Sequence, residues 1–289
     1  MHVSLDSALG RQRRLNSVGE SVLQIAPNAA AAYSLRSLTG GDPKVVRVRR
    51  DTGGAAGDND EQDFTVSGIS SGALVDFVGS GNDGFVDTWY DQSGNGNDAE
   101  QATAGNQPKI VSSGSLVPDD GIDFDGDDFL VSISASVLTS PFSIFSTSVR
   151  DATGYVGSFS KNGAANRYFA VQEGSSTSIA VPRNATSGVS VSASVSGSDR
   201  LTFAVTTGET STSVGAKGGT LANTTDDYGN DFRLTDGINQ FSIGVHRTTN
   251  PSGYFNGRIR EVIFYTSDQS ANRSAVETNT ANYYNITLV

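Results

Sequence analysis

The chain has 289 residues, 36% of them hydrophobic, no cysteine, two histidines and a formal net charge of -11. This composition excludes disulfides and thiolate metal sites, and His2 and His246 are too few for a histidine zinc centre. Its acidity argues against a nucleic-acid partner; without an apolar run of ~20 residues or a secretion signal, no membrane insertion is expected.

Residues 1–28 read as an extended arm, polar and mixed, with a basic knot at Arg11, Arg13 and Arg14 that suits anchoring to a partner. In "PNAAAAYSLRSL" Asn28 suits an N-cap, and the alanine run that follows predicts a short helical turn. "KVVRVRR", residues 44–50, alternates like a strand, and a second strand is expected around Phe64–Val66. "SSGALVDFVG" predicts a short helix capped by Ser71 and stopped by Gly79, with Leu74, Phe77 and Val78 facing inward.

From about Leu116 onward the sequence is a run of alternating strands with turn residues between them, as in Ile144/Ser146/Ser148 against Phe145/Thr147/Val149. That spacing predicts an all-β sandwich. "DFDGDDF", Asp123 to Phe129, offers carboxylates to Ca²⁺ but lacks the EF-hand spacing. It reads better as a β-hairpin turning at Asp125–Gly126, and no metal or other cofactor is expected. "DNDE" at Asp58–Glu61 reads as a solvated loop, and "YFNGRIREVIFY", Tyr254 to Tyr265, as a hairpin of the core. Near the end, Ser270 suits the cap of a helix carrying Ala275, Val276 and Ala281, and the tail "YYNITLV" reads as a last strand.

"TWYDQSGNGNDAEQA", Thr88 to Ala102, holds the only tryptophan. Trp89, Tyr90, Asp91 and Gln92 are candidate glycan contacts, an aromatic face beside polar groups that orient a sugar. The competing reading, and the preferred one, is structural: a buried tryptophan and an aspartate that organises a glycine-rich turn. His246 and Arg247 form a second candidate sugar contact.

These stretches, "AAYSLRSLTG", "VVRVRRDTGG", "ALVDFVG", "WYDQSGNGNDAEQA" and "GIDFDG", resemble in their order the catalytic domain of arabinofuranosidase-B glycosidases, a concanavalin A-like β-sandwich. They are similar also to bacteriophage virion proteins that carry the related laminin-G-like domain. The resemblance spans residues 29–289 and implies a jelly-roll sandwich with short helical elaborations, of which residues 29–113 form the N-terminal part. In the glycosidases the nucleophilic glutamate follows a cysteine-cysteine-phenylalanine-aspartate-tyrosine-glycine-asparagine stretch; its counterpart here falls on Ala164, Ala165 or Asn166. The acid/base aspartate falls on His246 and Arg247. With both carboxylates replaced, the expectation is a protein without enzymatic activity.

The resemblance implies a virion structural protein, in the tail, a head fibre or the capsid decoration. Its arm docks on other virion proteins, and its sandwich projects outward, as a homotrimer, to adhere to host-surface glycans. Two alternatives stand beside it. One is a glycoside hydrolase with displaced carboxylates, pairing Asp151 or Glu173 with Asp227; the other is a bacterial lectin-like surface module.

Overall fold

The computed structural model describes residues 19–139, 141–160, 168–183, 190–207, 211–224, 238–246 and 251–289. Arg11, Arg13, Arg14, Ala164, Ala165, Asn166, Asp227 and Arg247 lie outside the described residues. The N-terminal third supplies the strands β1 (Ala31–Ser34), β2 (Lys44–Asp51), β3 (Glu61–Thr65), β4 (Asp83–Trp89), β5 (Ala99–Glu100), β6 (Lys109–Ser112), β7 (Ser115–Leu116) and β8 (Ile122–Asp125). The first half of the sandwich adds β9 (Leu130–Leu138), β10 (Phe142–Ala152), β11 (Gly154–Ser160), β12 (Tyr168–Glu173) and β13 (Thr177–Arg183). It is completed by β14 (Val191–Ser194), β15 (Asp199–Thr207), β16 (Ser211–Ala216), β17 (Ala222–Thr224), β18 (Ile238–Ile243) and β19 (Asn256–Tyr265). Among the described residues, four short helices, α1 (Val22–Ile25), α2 (Val66–Ser70), α3 (Ala73–Val78) and α4 (Arg273–Tyr284), decorate these strands. None of the helices described is long and apolar enough to cross a membrane.

The ladders are antiparallel and form two leaves. One runs β19–β10–β15–β16–β17, with β1 and β8 sharing the free edge of β19. The other runs β5–β9–β18–β11–β12–β13–β14. Phenylalanines from both leaves meet between them: Phe159 lies with its ring centroid 4.4 Å from Phe142 and 5.0 Å from Phe264. The all-β sandwich is therefore as the alternation predicts, and a small antiparallel sheet, β3–β2–β4–β6, joins it through β8.

Alternation alone implies one wet face for β10, yet its first eight residues are all buried. The back of that leaf carries Phe145, Phe203, Ile263 and Tyr265, which α1 and α4 cover with Val22 and Val276. A sheet covered on both sides buries both side-chain rows. Helix α1 belongs to residues 19–28, read above as part of the arm. Its start is fixed by a capping box in which the Ser21 N–H donates to Gln24 Oε1 at 2.8 Å.

Several local expectations are corrected. Ala31–Ser34 is a strand on β19, not a helical turn, and Asn28 sits at φ 64°; pairing with an open edge outweighs alanine's helix propensity. Asp125–Gly126 makes no hairpin, because β8 pairs with β19 and β6 whereas β9 pairs with β18 and β5. Helix α3 begins after Gly72, not Ser71, and α4 after Asn272, not Ser270; the tail beyond Asn285 is not a strand. "YFNGRIREVIFY" holds one long strand, β19, and Gly257 lies inside it where β10 bulges toward it. A Cβ at Gly257 would collide with Val149 O at φ 136°. Gly257→Ala is expected to lower the unfolding free energy by about 1–3 kcal/mol in urea titrations; an unchanged midpoint would show that β10 yields at no cost.

Candidate functional site

The tryptophan stretch is a clamp that fixes residues 30–38 to the rest of the fold. Trp89 is fully buried, its ring 5.9 Å from that of Tyr33. Asp91 Oδ1 accepts from the N–H groups of Ala32 and Ser93, each at 2.8 Å, and Oδ2 accepts from Ser93 Oγ at 2.7 Å and Asn97 N at 3.1 Å. Gln92 Oε1 accepts from Leu38 N at 2.8 Å, while Nε2 donates to the carbonyls of Ser34 and Arg36, each at 2.9 Å. Tyr90 donates its hydroxyl to Asp63 at 2.6 Å, and Lys44 and Arg47 converge on the same carboxylate. These hydrogen bonds, with Arg47 foremost, hold Asp63 well below the usual carboxylate range. Trp89 and Gln92 thus present no face on which a sugar could stack, in keeping with the structural reading.

His246 is also buried, its ring 4.5 Å from that of Tyr155 and 4.9 Å from that of Tyr168. Its carbonyl accepts from Ser158 Oγ at 3.1 Å, which ties the end of β18 to β11. Of the displaced carboxylates considered for a hydrolase, the two that are described, Glu173 and Asp151, stand in different environments. Glu173 is sealed between the leaves against Ser178, Thr202 and Arg200, while Asp151 lies at the surface, paired with Arg258.

A different group of acids faces a cleft of about 430 Å³. Strand register builds one wall: Arg49 on β2 stands opposite Phe85 on β4, Phe85 opposite Lys109 on β6, and Lys109 opposite Asp123 on β8. Partners in register project from the same face of a sheet, so the four side chains form one row. The Arg49 guanidinium lies 4.9 Å from the Phe85 ring centroid and the Lys109 ammonium 5.3 Å from it. Arg49 Nε donates to Gln107 Oε1 at 2.7 Å and Nη1 to Asn59 Oδ1 at 3.0 Å, which fixes the guanidinium. Lys109 Nζ is held by Asp83 at 2.8 Å.

The turn after β8 closes the far end. Asp125, Asp127 and Asp128 bring carboxylate oxygens within 4.8 Å of one another, with Asp125 and Asp127 exposed and Asp128 buried. Asp128 Oδ2 accepts from the Asp125 N–H at 3.1 Å. Burial pushes the Asp128 carboxyl up to about 7; the charges of Asp125 and Asp127 act in the same direction, and the Asp125 N–H opposes them. Asp127 is raised by sharing a hydrogen bond with Asp125, and Asp123 by burial. One acid that keeps its proton near neutrality beside another carboxyl is the pairing acid–base chemistry requires. As monodentate ligands the three carboxylates supply fewer than the six to eight oxygens that Ca²⁺ takes.

"DFDGDDF" marks this turn in the sequence, whereas Arg49, Phe85, Gln107 and Lys109 carry no such mark. Only the register of β2, β4, β6 and β8 joins them, and pairing between distant strands leaves no local signature.

No protein-family model matches the chain, and no curated protein matches its sequence. Solved structures do match its fold. An arabinofuranosidase complexed with arabinofuranosyl-α-1,2-xylobiose superposes with a TM-score of 0.68 over 91% of this chain, at 14% identity. A family-54 α-L-arabinofuranosidase soaked with a cyclic sulfate inhibitor gives 0.66 over 89%, at 12% identity. A Glu→Gln mutant of a family-54 α-L-arabinofuranosidase, soaked with 4-nitrophenyl α-L-arabinofuranoside, matches equally, with a TM-score of 0.66. The chain spans 64% and 63% of the lengths of the first two. At such identities the likeness establishes the fold alone, a β-sandwich that these arabinofuranosidases share. It overturns the expectation of a protein without enzymatic activity, which rested on two positions matched through short motifs. None of these structures bears on a role in a virion.

Proposed function

We propose that this chain is a glycoside hydrolase domain, with arabinofuranosides as the substrate class to try first. The observation that carries the reading is the likeness of nearly the whole chain to arabinofuranosidases, and the acidic turn of the cleft supplies a candidate pair. Asp125 and Asp128 bring carboxylate oxygens within 4.8 Å of each other, closer than the ~5–5.5 Å between carboxyls in retaining glycosidases. In this reading protonated Asp128 gives its proton to the leaving glycosidic oxygen while Asp125 attacks the anomeric carbon. Water then hydrolyses the ester, with Asp128 taking the proton back. Phe85 offers an apolar surface to the sugar ring, and Asn59 and Gln107 hold Arg49 in position to meet hydroxyls.

Carried on a virion, as the sequence resemblance implies, such an activity would act on host-surface glycans, with the N-terminal arm and trimeric packing serving assembly. The direct test is release of 4-nitrophenol from 4-nitrophenyl α-L-arabinofuranoside, together with pentose release from arabinoxylan. The expected result is a rate at least ~10⁶-fold above the uncatalysed reaction. Binding of the polymer with no release of either product would overturn the hydrolase reading.

A further inference from the structure

The cleft that carries the acidic turn has a buried cation at its other end. Arg49 is 7% exposed, and its guanidinium is held by neutral partners: Nε donates to Gln107 Oε1 at 2.7 Å and Nη1 to Asn59 Oδ1 at 3.0 Å. Arg36, Arg200 and Arg260, the other buried arginines among the described residues, each lie within 3.3 Å of a carboxylate oxygen, of Glu261, Glu173 and Asp199 respectively. The nearest described carboxylate to Arg49 is that of half-exposed Asp51, at 3.9 Å, and Nη2 has no hydrogen-bond partner among the described residues. Lys109, which faces the same Phe85 ring, is by contrast held by Asp83 at 2.8 Å. A buried cation that its own chain bonds only through amides keeps its charge for an anion brought by a ligand.

Given the hydrolase reading above, on which this rests, we infer that the Arg49 end of the cleft is a subsite for a carboxylate. The substrate is then an arabinofuranosyl glycan that also carries a uronic acid. Neighbouring strands stand ~4.8 Å apart, and three such steps from β2 to β8 separate Arg49 from Asp123 by ~14 Å. Asp125 follows Asp123 by two residues on β8 and so projects from the same face. Cation and acids therefore meet different sugar units: Asp125 and Asp128 meet the scissile bond, and Arg49 meets a carboxylate further along the glycan. Phe85, its ring 4.9 Å from the guanidinium, gives the unit between them an apolar face.

Calorimetric binding to the full chain tests this with two probes, a xylotetraose bearing one glucuronic acid and the same molecule with its carboxyl reduced to an alcohol. Neither carries an arabinofuranose to cleave, so binding is read apart from turnover. The acidic probe is expected to bind at least about ten-fold more tightly than the reduced one, the worth of one charge-assisted hydrogen bond. Arg49→Gln should bring the ratio of affinities close to one. Asn59→Asp guards against a disturbed wall: the position is exposed, with φ 62°, and the change sets a carboxylate on the guanidinium while Arg49 stays in place. It should cut the ratio at least about three-fold. Equal affinities in the wild type, no binding of the acidic probe, or a preference unchanged in both variants would overturn the subsite. Hydrolysis of 4-nitrophenyl α-L-arabinofuranoside, which has no carboxylate, reports separately. Turnover without any preference would sink the subsite and leave the hydrolase standing, whereas a preference without turnover would keep the subsite and sink the hydrolase.

Discussion

Asp128→Asn is expected to lower hydrolysis of an arabinofuranoside by about 10²–10⁴-fold, the usual contribution of a positioned proton donor. The substitution changes little else. Burial pushes the Asp128 carboxyl up to about 7, so at pH 6 a neutral amide replaces a largely neutral acid and the fold should be retained. The pH profile separates chemistry from structure. A donor titrating near 7 loses its proton as pH rises, so wild-type kcat/KM should fall on the alkaline side with a midpoint near that value. In Asp128→Asn that limb should vanish along with most of the rate. Asp125→Ala supplies the partner test: as the nucleophile it should lose activity that added azide restores, with a glycosyl azide as product. An unchanged alkaline limb in Asp128→Asn, or Asp125→Ala with wild-type activity, would move the chemistry away from this turn.

Local rules carried the sequence reading as far as single elements. "KVVRVRR" is β2, the helix ending at Gly79 is α3, and the alternating stretches from Leu116 onward supply the two leaves of the sandwich. Asp91 beside Gly94 and Gly96 also acts as that pattern suggests, organising a turn in which both glycines have positive φ. The failures share one cause, a partner distant in sequence. Ala31–Ser34 is a strand because β19 offers an edge to pair with. Asn256–Gly257 has the composition of a tight turn, but that glycine admits the bulge of β10. The row from Arg49 to Asp123 spans four strands whose mutual register no local pattern records. The acids of the cleft were visible as a cluster. What the composition could not convey was that their turn crosses between leaves and so faces a cleft.

The largest effect on stability is expected at the ion pair between the leaves. Glu173 and Arg200 are fully buried, with Arg200 Nε 3.3 Å from Glu173 Oε2. Burial pushes the Glu173 carboxyl up from 4.5 to about 7, despite hydrogen bonds from Ser178 and Thr202 and the charge of Arg200, and burial also lowers Arg200. Both shifts say that desolvation outweighs attraction, the usual balance for a buried pair. Between pH 4.5 and 7 the folded chain then holds a proton at Glu173 that the unfolded chain has released. Stability contributed by this group is therefore full below pH 4.5 and lost as pH rises through 7, a difference on the order of 3 kcal/mol. Glu173→Gln should flatten that part of the pH dependence of unfolding free energy. Arg200→Met should act in the opposite sense, because it leaves the carboxylate buried without a counter-charge. Its cost should reach about 3–5 kcal/mol at pH 8 and shrink at pH 5, where the acid is neutral. In the double variant the two effects should not add, since the amide introduced by Glu173→Gln carries no charge to strand. Denaturant titrations of the four proteins at pH 5 and pH 8 read all of this. Equal costs for Arg200→Met at both values would mean that Glu173 is not the group whose charge Arg200 compensates.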